Sequence, residues 1–281
     1  MRYLLCGTLA GLLWTVLVGG LSAAPVLRNP ILFVTQVPIP DERNDNSVSN
    51  TFVSVVSPLG NHLGDTLHAA RGGDRWIRNT NGALRNLTRA AGFGTSGSQN
   101  GVGIGVRDPH VHWSGGRALF SMVVGAPTNA TDARVFLWQL YEITNLAALI
   151  ADTNTPPAIV KVPNQPTNFN NVMACYGTDG RIIFACDRAR NGAAHLYPQL
   201  DEYNDVPSNT GLWSLNPADG DLFLMDHSPS GSFDPSIDSF GRVIFTRWDH
   251  LVQDRSATDD RMGRATNGTG PGVQARLVSE K

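Results

Sequence analysis

A chain of 281 residues, 41% of them hydrophobic, can bury a proper core, and its length allows one or two domains. Charged residues make up only 16%, and a formal net charge of −2 removes the electrostatic case for nucleic acid as a partner. Glycine (29) and proline (17) are plentiful and long helical periodicities are scarce beyond the N-terminus, which favours short strands joined by turns; the expected fold class is all-β.

The chain opens with Arg2, an apolar run over residues 4–18, and the small residues Gly19, Gly20, Ser22, Ala23 and Ala24. This is the layout of a secretory signal peptide, predicted over residues 1–24. The run is shorter than the ~20 residues of a spanning helix. Cleavage is expected near Ala23 or Ala24, with Pro25 an awkward residue after the cut; the alternative is an uncleaved N-terminal anchor. Cys6 lies too early for a lipoprotein attachment site. The expected location is periplasmic or secreted, with no membrane contact beyond such an anchor.

Residues 31–35 (Ile-Leu-Phe-Val-Thr) form a compact apolar strand stopped by Pro38 and Pro40. A polar tract over 41–50 precedes a second apolar run at 51–56. Residues 75–88 read as a hairpin turning at Asn81-Gly82, and 92–105 as a glycine-rich loop. Residues 107–121 run from Arg107-Asp108-Pro109 to a strand ending in Phe120-Ser121. A looser hairpin covers 135–144 and 159–162, with a short helix expected near 146–151. The stretch 176–197 turns at Asp179-Gly180 into the strand 182–185, whose unbroken apolar run predicts cover on both faces. A further hairpin spans 211–224, and 234–246 repeats the pattern of 107–121. From Val252 the chain turns polar and glycine-rich.

Three stretches contain Gly-Arg-x-Leu/Ile-Phe, at Gly116, Gly180 and Gly241, 64 and then 61 residues apart. Phe33-Val34-Thr35 fits as an earlier copy. Each unit carries a second hairpin, and four strands at a fixed period are the signature of a β-propeller, whose blades bury their faces only by stacking. The count is about three and a half blades, against ~4–8 in closed propellers. Residues 25–254 are therefore read as a partial propeller, a fragment or a truncated product, and 255–281 as a polar tail. The open apolar blade faces are expected to be covered by a protein partner or by self-association.

Two cysteines remain after signal cleavage, Cys175 and Cys186. With a two-residue turn at Asp179-Gly180, Cys175 faces Phe184 and Cys186 faces Met173. That sets the sulfurs on diagonal positions with Cα atoms about 7–8 Å apart, unsuited to a bridge. Two buried free thiols are expected.

The run Gly180-Arg-Ile-Ile-Phe-Ala-Cys-Asp-Arg188, followed by His195-Leu-Tyr197, resembles the WD40-like repeat of TolB-type six-bladed propellers. That repeat usually reads Asp-Gly-x-x-Ile-x-Phe-x-Ser-Asp-Arg before an Ile-Tyr outer strand. Cys186 stands at the usual Ser, and Arg247-Trp248-Asp249 replaces Asp-Arg in the last copy. Further words resemble a narrower group that shares the middle domain of the hydrazine synthase α-subunit: Gly60-Asn-His62, Arg107-Asp108-Pro109, His112-Trp113-Ser114-Gly115, Arg188-Ala-Arg190-Asn-Gly192, the run 195–203, Gly211-Leu-Trp213, and 240–250. The likeness spans roughly residues 31–254. It implies a propeller scaffold and, for the family's chemistry, c-type haem bound through Cys-x-x-Cys-His. This chain has no such motif, so no cofactor is expected, and the resemblance reaches only the scaffold.

His110-x-His112 is the candidate for a divalent metal, because alternate strand residues share a face, with Asp108 on the same parity; the alternative is a pair of polar residues lining a channel or bonding between blades. Asp187 and Arg188, and Arg247 and Asp249, suit an anion or a peptide carboxylate, although such pairs are more often ion pairs that tie neighbouring blades; Arg107 and Asp108 are further candidates for ligand binding. His195 and His250 belong to other blades. Asp201, Glu202 and Asp205 read as a solvated loop, and Gly101, Gly103 and Gly105 precede no helix and carry no nucleotide signal. Asn86, Asn129 and Asn267 sit in glycosylation triplets. The function expected is a binding or scaffold module for a protein partner or small ligand. The alternative is a metal-dependent enzyme, or a subunit of a redox complex, using His110 and His112.

Overall fold

The structure, a computed structural model, describes residues 27–35, 71–94, 103–125, 134–188, 211–226 and 231–248. Among these, the chain forms four antiparallel sheets in sequence order. The first holds β1 (Ile31–Val34), β2 (Arg75–Arg78) and β3 (Leu84–Asn86), followed by the one-turn helix α1 (Leu87–Ala90). The second holds β4 (Ile104–Val111), β5 (Ala118–Val124), β6 (Gln139–Ile143) and β7 (Ile159–Lys161), with helix α2 (Leu146–Ala151) between β6 and β7. The third holds β8 (Asn171–Tyr176), β9 (Ile182–Cys186), β10 (Gly211–Leu215) and β11 (Leu222–Leu224). The fourth holds β12 (Gly231–Ile237) and β13 (Val243–Trp248). Every strand pairs with its sequence neighbour. No helix of the described residues is long and apolar enough to cross a membrane.

The strands that sequence reading expects to be covered twice are covered twice. Along β5, Ala118, Phe120 and Met122 pack with Ile77 and Leu87 of the first sheet region, while Leu119 joins Tyr176, Ile182 and Phe184 of the third. Along β9, Ile182, Phe184 and Cys186 face the second sheet, and Ile183 packs with Ile237, Val243 and Phe245 of the fourth. Side chains alternate across a strand, so one unbroken apolar run feeds two interfaces. Consecutive sheets therefore stack face to face, the second and third each supplying half of two cores. Helix α2, at the expected position, adds Leu146 and Leu149 to the first interface.

The turn lengths correct the sequence reading. The Gly177 N–H donates to the Arg181 carbonyl, so the β8–β9 loop holds three residues and ends on Gly180 with φ 82°. Likewise Asn79 donates to Ala83, and Gly82 ends the β2–β3 loop at φ 86°. A type I turn closed by a left-handed residue gives this three-residue form, and glycine takes its last position without strain. The extra residue, and a bulge between Val172 and Cys175, move the pairing: Cys175 faces Ile183, not Phe184, and Cys186 faces Asn171, not Met173. Both cysteines are buried free thiols, and burial pushes the Cys175 thiol up to about 12.

Candidate functional site

The first strands of the second, third and fourth sheets carry the same irregularity. A bulge interrupts pairing between Arg107 and His110 on β4, between Val172 and Cys175 on β8, and between Phe233 and Ser236 on β12. At each, one non-glycine residue takes the left-handed conformation: Asp108 (φ 53°), Met173 (φ 55°) and Asp234 (φ 49°). Aspartate tolerates that region through its short polar side chain, whereas methionine there costs about 1–2 kcal/mol.

The bulges are joined across sheets. Asp108 Oδ2 accepts the Met173 main-chain N–H at 2.9 Å, and Met173 Sδ in turn accepts the Asp234 N–H at 3.4 Å. The Asp108 and Met173 side chains thus each take the N–H of the next bulge residue. Asp108 Oδ2 also receives Arg107 Nε at 2.8 Å and the Ser121 hydroxyl at 3.4 Å. The Arg107 guanidinium, nearly buried, lies 5.6 Å over the Trp138 ring. Arg107 and Asp108 are therefore brought together, but as a lock between the second and third sheets. The Asp234 carboxylate accepts no hydrogen bond among the described residues; burial, then nearby Asp108, raise it above the usual carboxylate range, with Arg107 opposing.

Beyond the β4 bulge, the strand end and its hairpin build a second cluster. The His112 ring packs at 3.9 Å from Trp113 and 4.8 Å, edge-on, from Tyr176 of the third sheet, and His110 lies 5.8 Å from the same ring. The Tyr176 hydroxyl donates to Glu142 Oε1 at 2.8 Å, and burial, then Glu142, hold the phenol far above the usual tyrosine range. Arg117, from the Gly-Arg repeat word, lies 4.9 Å over the Tyr176 ring and 3.5 Å from Glu142. Trp113 tops this support with its side chain 64% exposed, whereas His112 beneath it is buried.

Both histidines are shifted toward the neutral form: burial lowers His110, then His112 lowers it further; burial, then Arg117, lower His112, with Glu142 opposing. The Ser114 main-chain N–H donates to His112 Nδ1 at 3.2 Å, and the Ser114 hydroxyl lies 2.7 Å from the same nitrogen. Nδ1 is thus an acceptor and the ring proton sits on Nε2, pointing away from the Ser114 turn. His110 Nδ1 is buried without a hydrogen-bond partner. Among the described residues, no group of three His, Cys, Asp or Glu side chains is placed to hold a metal ion.

The remaining expected site residues that the structure describes do not converge. Asp187 is held by Asn170, whose main-chain and side-chain N–H groups donate to it at 2.8 and 2.7 Å. Asn170 Oδ1 in turn accepts the Trp138 N–H of the second sheet at 3.0 Å, so Asp187 braces a sheet-to-sheet contact through an intermediary. Burial raises the Asp187 carboxyl, and the Asn170 hydrogen bonds oppose it. Arg188 turns elsewhere and lies 5.2 Å over the Trp213 ring of its own sheet. Arg247 is exposed on β13 opposite Ser232. His195, Asp249 and His250 lie outside the described residues.

Sequence reasoning passed over Tyr176, Glu142, Arg117 and Met173 as site residues. Arg117 carried a signal, since it belongs to the repeated Gly-Arg word; Glu142 carried none, because its role depends on a contact between sheets. Compared with models of known protein families the chain matches none, and no curated protein matches it.

Proposed function

We propose that this chain is an exported, propeller-type binding module whose ligand rests on Trp113. The reading of the sheet stack as part of a TolB-like propeller draws on the repeated Gly-Arg-x-Leu/Ile-Phe word, the four-stranded antiparallel sheets and their face-to-face order. The observation that carries the functional reading is the exposed Trp113 indole seated on buried His112 and the Tyr176–Glu142 pair. Large aromatics are normally withdrawn from water, and one held rigidly outward offers apolar area at little entropic cost. The partly exposed Arg117 guanidinium lies over the same Tyr176 ring that Trp113 meets edge-on and adds hydrogen-bond donors to the cluster. That surface suits a ligand with a flat apolar face and a polar edge, the chemistry of a sugar ring or of an aromatic side chain on a partner protein.

The test is a titration followed by tryptophan fluorescence, with oligosaccharides in one arm and aromatic-containing peptides in the other. A saturable change in either arm, lost in Trp113→Ala with the fold intact by circular dichroism, supports the reading and names the class. A saturable change retained in Trp113→Ala removes it. A second reading, metal binding at His110 and His112, is favoured by the unpartnered His110 Nδ1. Stoichiometric metal in purified protein, lost in His110→Ala/His112→Ala, would replace the binding-module reading with it.

A further inference from the structure

We infer that the stack of sheets associates head to tail with a second copy of this chain, the outer face of its fourth sheet receiving the outer face of the first. Leu119, Ile183 and Ile244 each lie on the second strand of their sheet, opposite His110, Cys175 and Ser236 just past the bulge. Leu119 is 0% exposed and Ile183 5%, each covered by the next sheet, whereas Ile244 is 54% exposed. The fourth sheet therefore presents to solvent the residue that its two predecessors bury under a neighbour.

The bulges say the same. The Asp108 and Met173 side chains each accept the next sheet's main-chain N–H, while the Asp234 carboxylate ends the series with no donor among the described residues. It stands where a further chain segment would supply one.

The opposite end is complementary. Phe120 and Phe184, in the repeated word, are fully buried against the preceding sheet, and Phe245 packs on the third sheet in the same sense. Phe33 holds that place in the first sheet, where it stacks on Trp76 at 6.5 Å, with Ile31 46% and Leu84 59% exposed nearby. One end thus shows the surface that precedes a contact and the other the surface that completes it. These are the two halves of the interface repeated inside the chain, which is why a second copy is the occupant that fits. Such a contact is heterologous, so it joins unlike faces and closes when two copies satisfy both ends. It is independent of the ligand surface at Trp113, whose titration reads separately.

Sedimentation equilibrium of the full chain tests this with Ile31→Asp and Ile244→Asp, both at exposed positions where folding tolerates the change. Wild type is expected above the 30.2 kDa of one copy. Each variant is expected to weaken association at least about tenfold, since a charge is set into an apolar contact. Mixing the two variants restores association through the one pairing of intact faces that remains. Wild type at the mass of one copy at every soluble concentration overturns the inference. So does an assembly that survives both substitutions, or a failure of the mixture to recover, which would mean that like faces meet.

Discussion

Arg75 offers the sharpest energetic test. Its side chain on β2 is fully buried, and Nε, Nη1 and Nη2 all lack a hydrogen-bond partner among the described residues. Among the described residues, its compensation is the Phe120 ring, with Cζ 5.9 Å from its centroid. Burial pulls the guanidinium down to about 9 from 12.5, so it is still charged at neutral pH. Burying an unpaired ion costs several kcal/mol, and a desolvated cation–π contact returns about 2. Methionine keeps an unbranched stem, carries no charge, and makes favourable contacts with aromatic rings. Arg75→Met is therefore expected to stabilise the fold by about 1–3 kcal/mol. The assay is urea unfolding at pH 7 followed by tryptophan fluorescence, with a higher midpoint at unchanged slope. The proton linkage gives a second readout. A base whose folded value is lowered regains stability as pH rises from about 9 towards 12.5, so the gap between wild type and variant should narrow there. A variant less stable than wild type by 1 kcal/mol or more (roughly the worth of a hydrogen bond) would refute the reasoning, because it would mean that the guanidinium has a partner.

Removing the lock at the β4 bulge should be costly. Asp108→Ala removes the carboxylate that Arg107 and the Met173 N–H share and puts alanine at φ 53°, for an expected loss of about 2–4 kcal/mol, while Asp108→Asn keeps an acceptor and should cost roughly half of that in the same urea assay. The histidine cluster predicts an acid-side weakness. With His110 lowered from 6.5 in the folded state, the unfolded chain takes up the proton first, so stability is full above pH 6.5 and falls as pH drops below it. His112, which faces it, is shifted in the same direction, and Tyr176 does not titrate in this range. His110→Gln should flatten the slope of thermal stability between about pH 6.5 and 5; an unchanged slope would place its origin elsewhere.

Much of the stack was legible because the signals that specify it are local. Ile182 to Cys186 form a run too apolar for a one-sided strand, and the Gly-Arg word marks the same hairpin three times. Turn length was less legible. Asn81-Gly82 and Asp179-Gly180 announce a residue with positive φ but not whether it is the second or third of its loop, and the one-residue error moved the partners of both cysteines. The bulges were half visible: Asp108-Pro109 and Asp234-Pro235 repeat, but Met173-Ala174 at the equivalent place has nothing to mark it. Arg107 and Asp108 were found as a pair, brought together by the β4 bulge, whereas Asp187 and Arg188, just past the end of β9, turn to different partners, Asn170 and the Trp213 ring. The Tyr176–Glu142 hydrogen bond joins residues 34 apart on different sheets, a distance at which spacing carries no information.

The measurement that bears most directly on the central claim is the fluorescence titration of Trp113. With oligosaccharides and aromatic peptides offered separately, the account predicts saturable binding in one arm and its loss in Trp113→Ala. Because the indole is largely exposed, that substitution should leave the unfolding free energy in urea within about 0.5 kcal/mol of wild type. Binding that persists without Trp113, or no response in either arm from correctly folded protein, would contradict it.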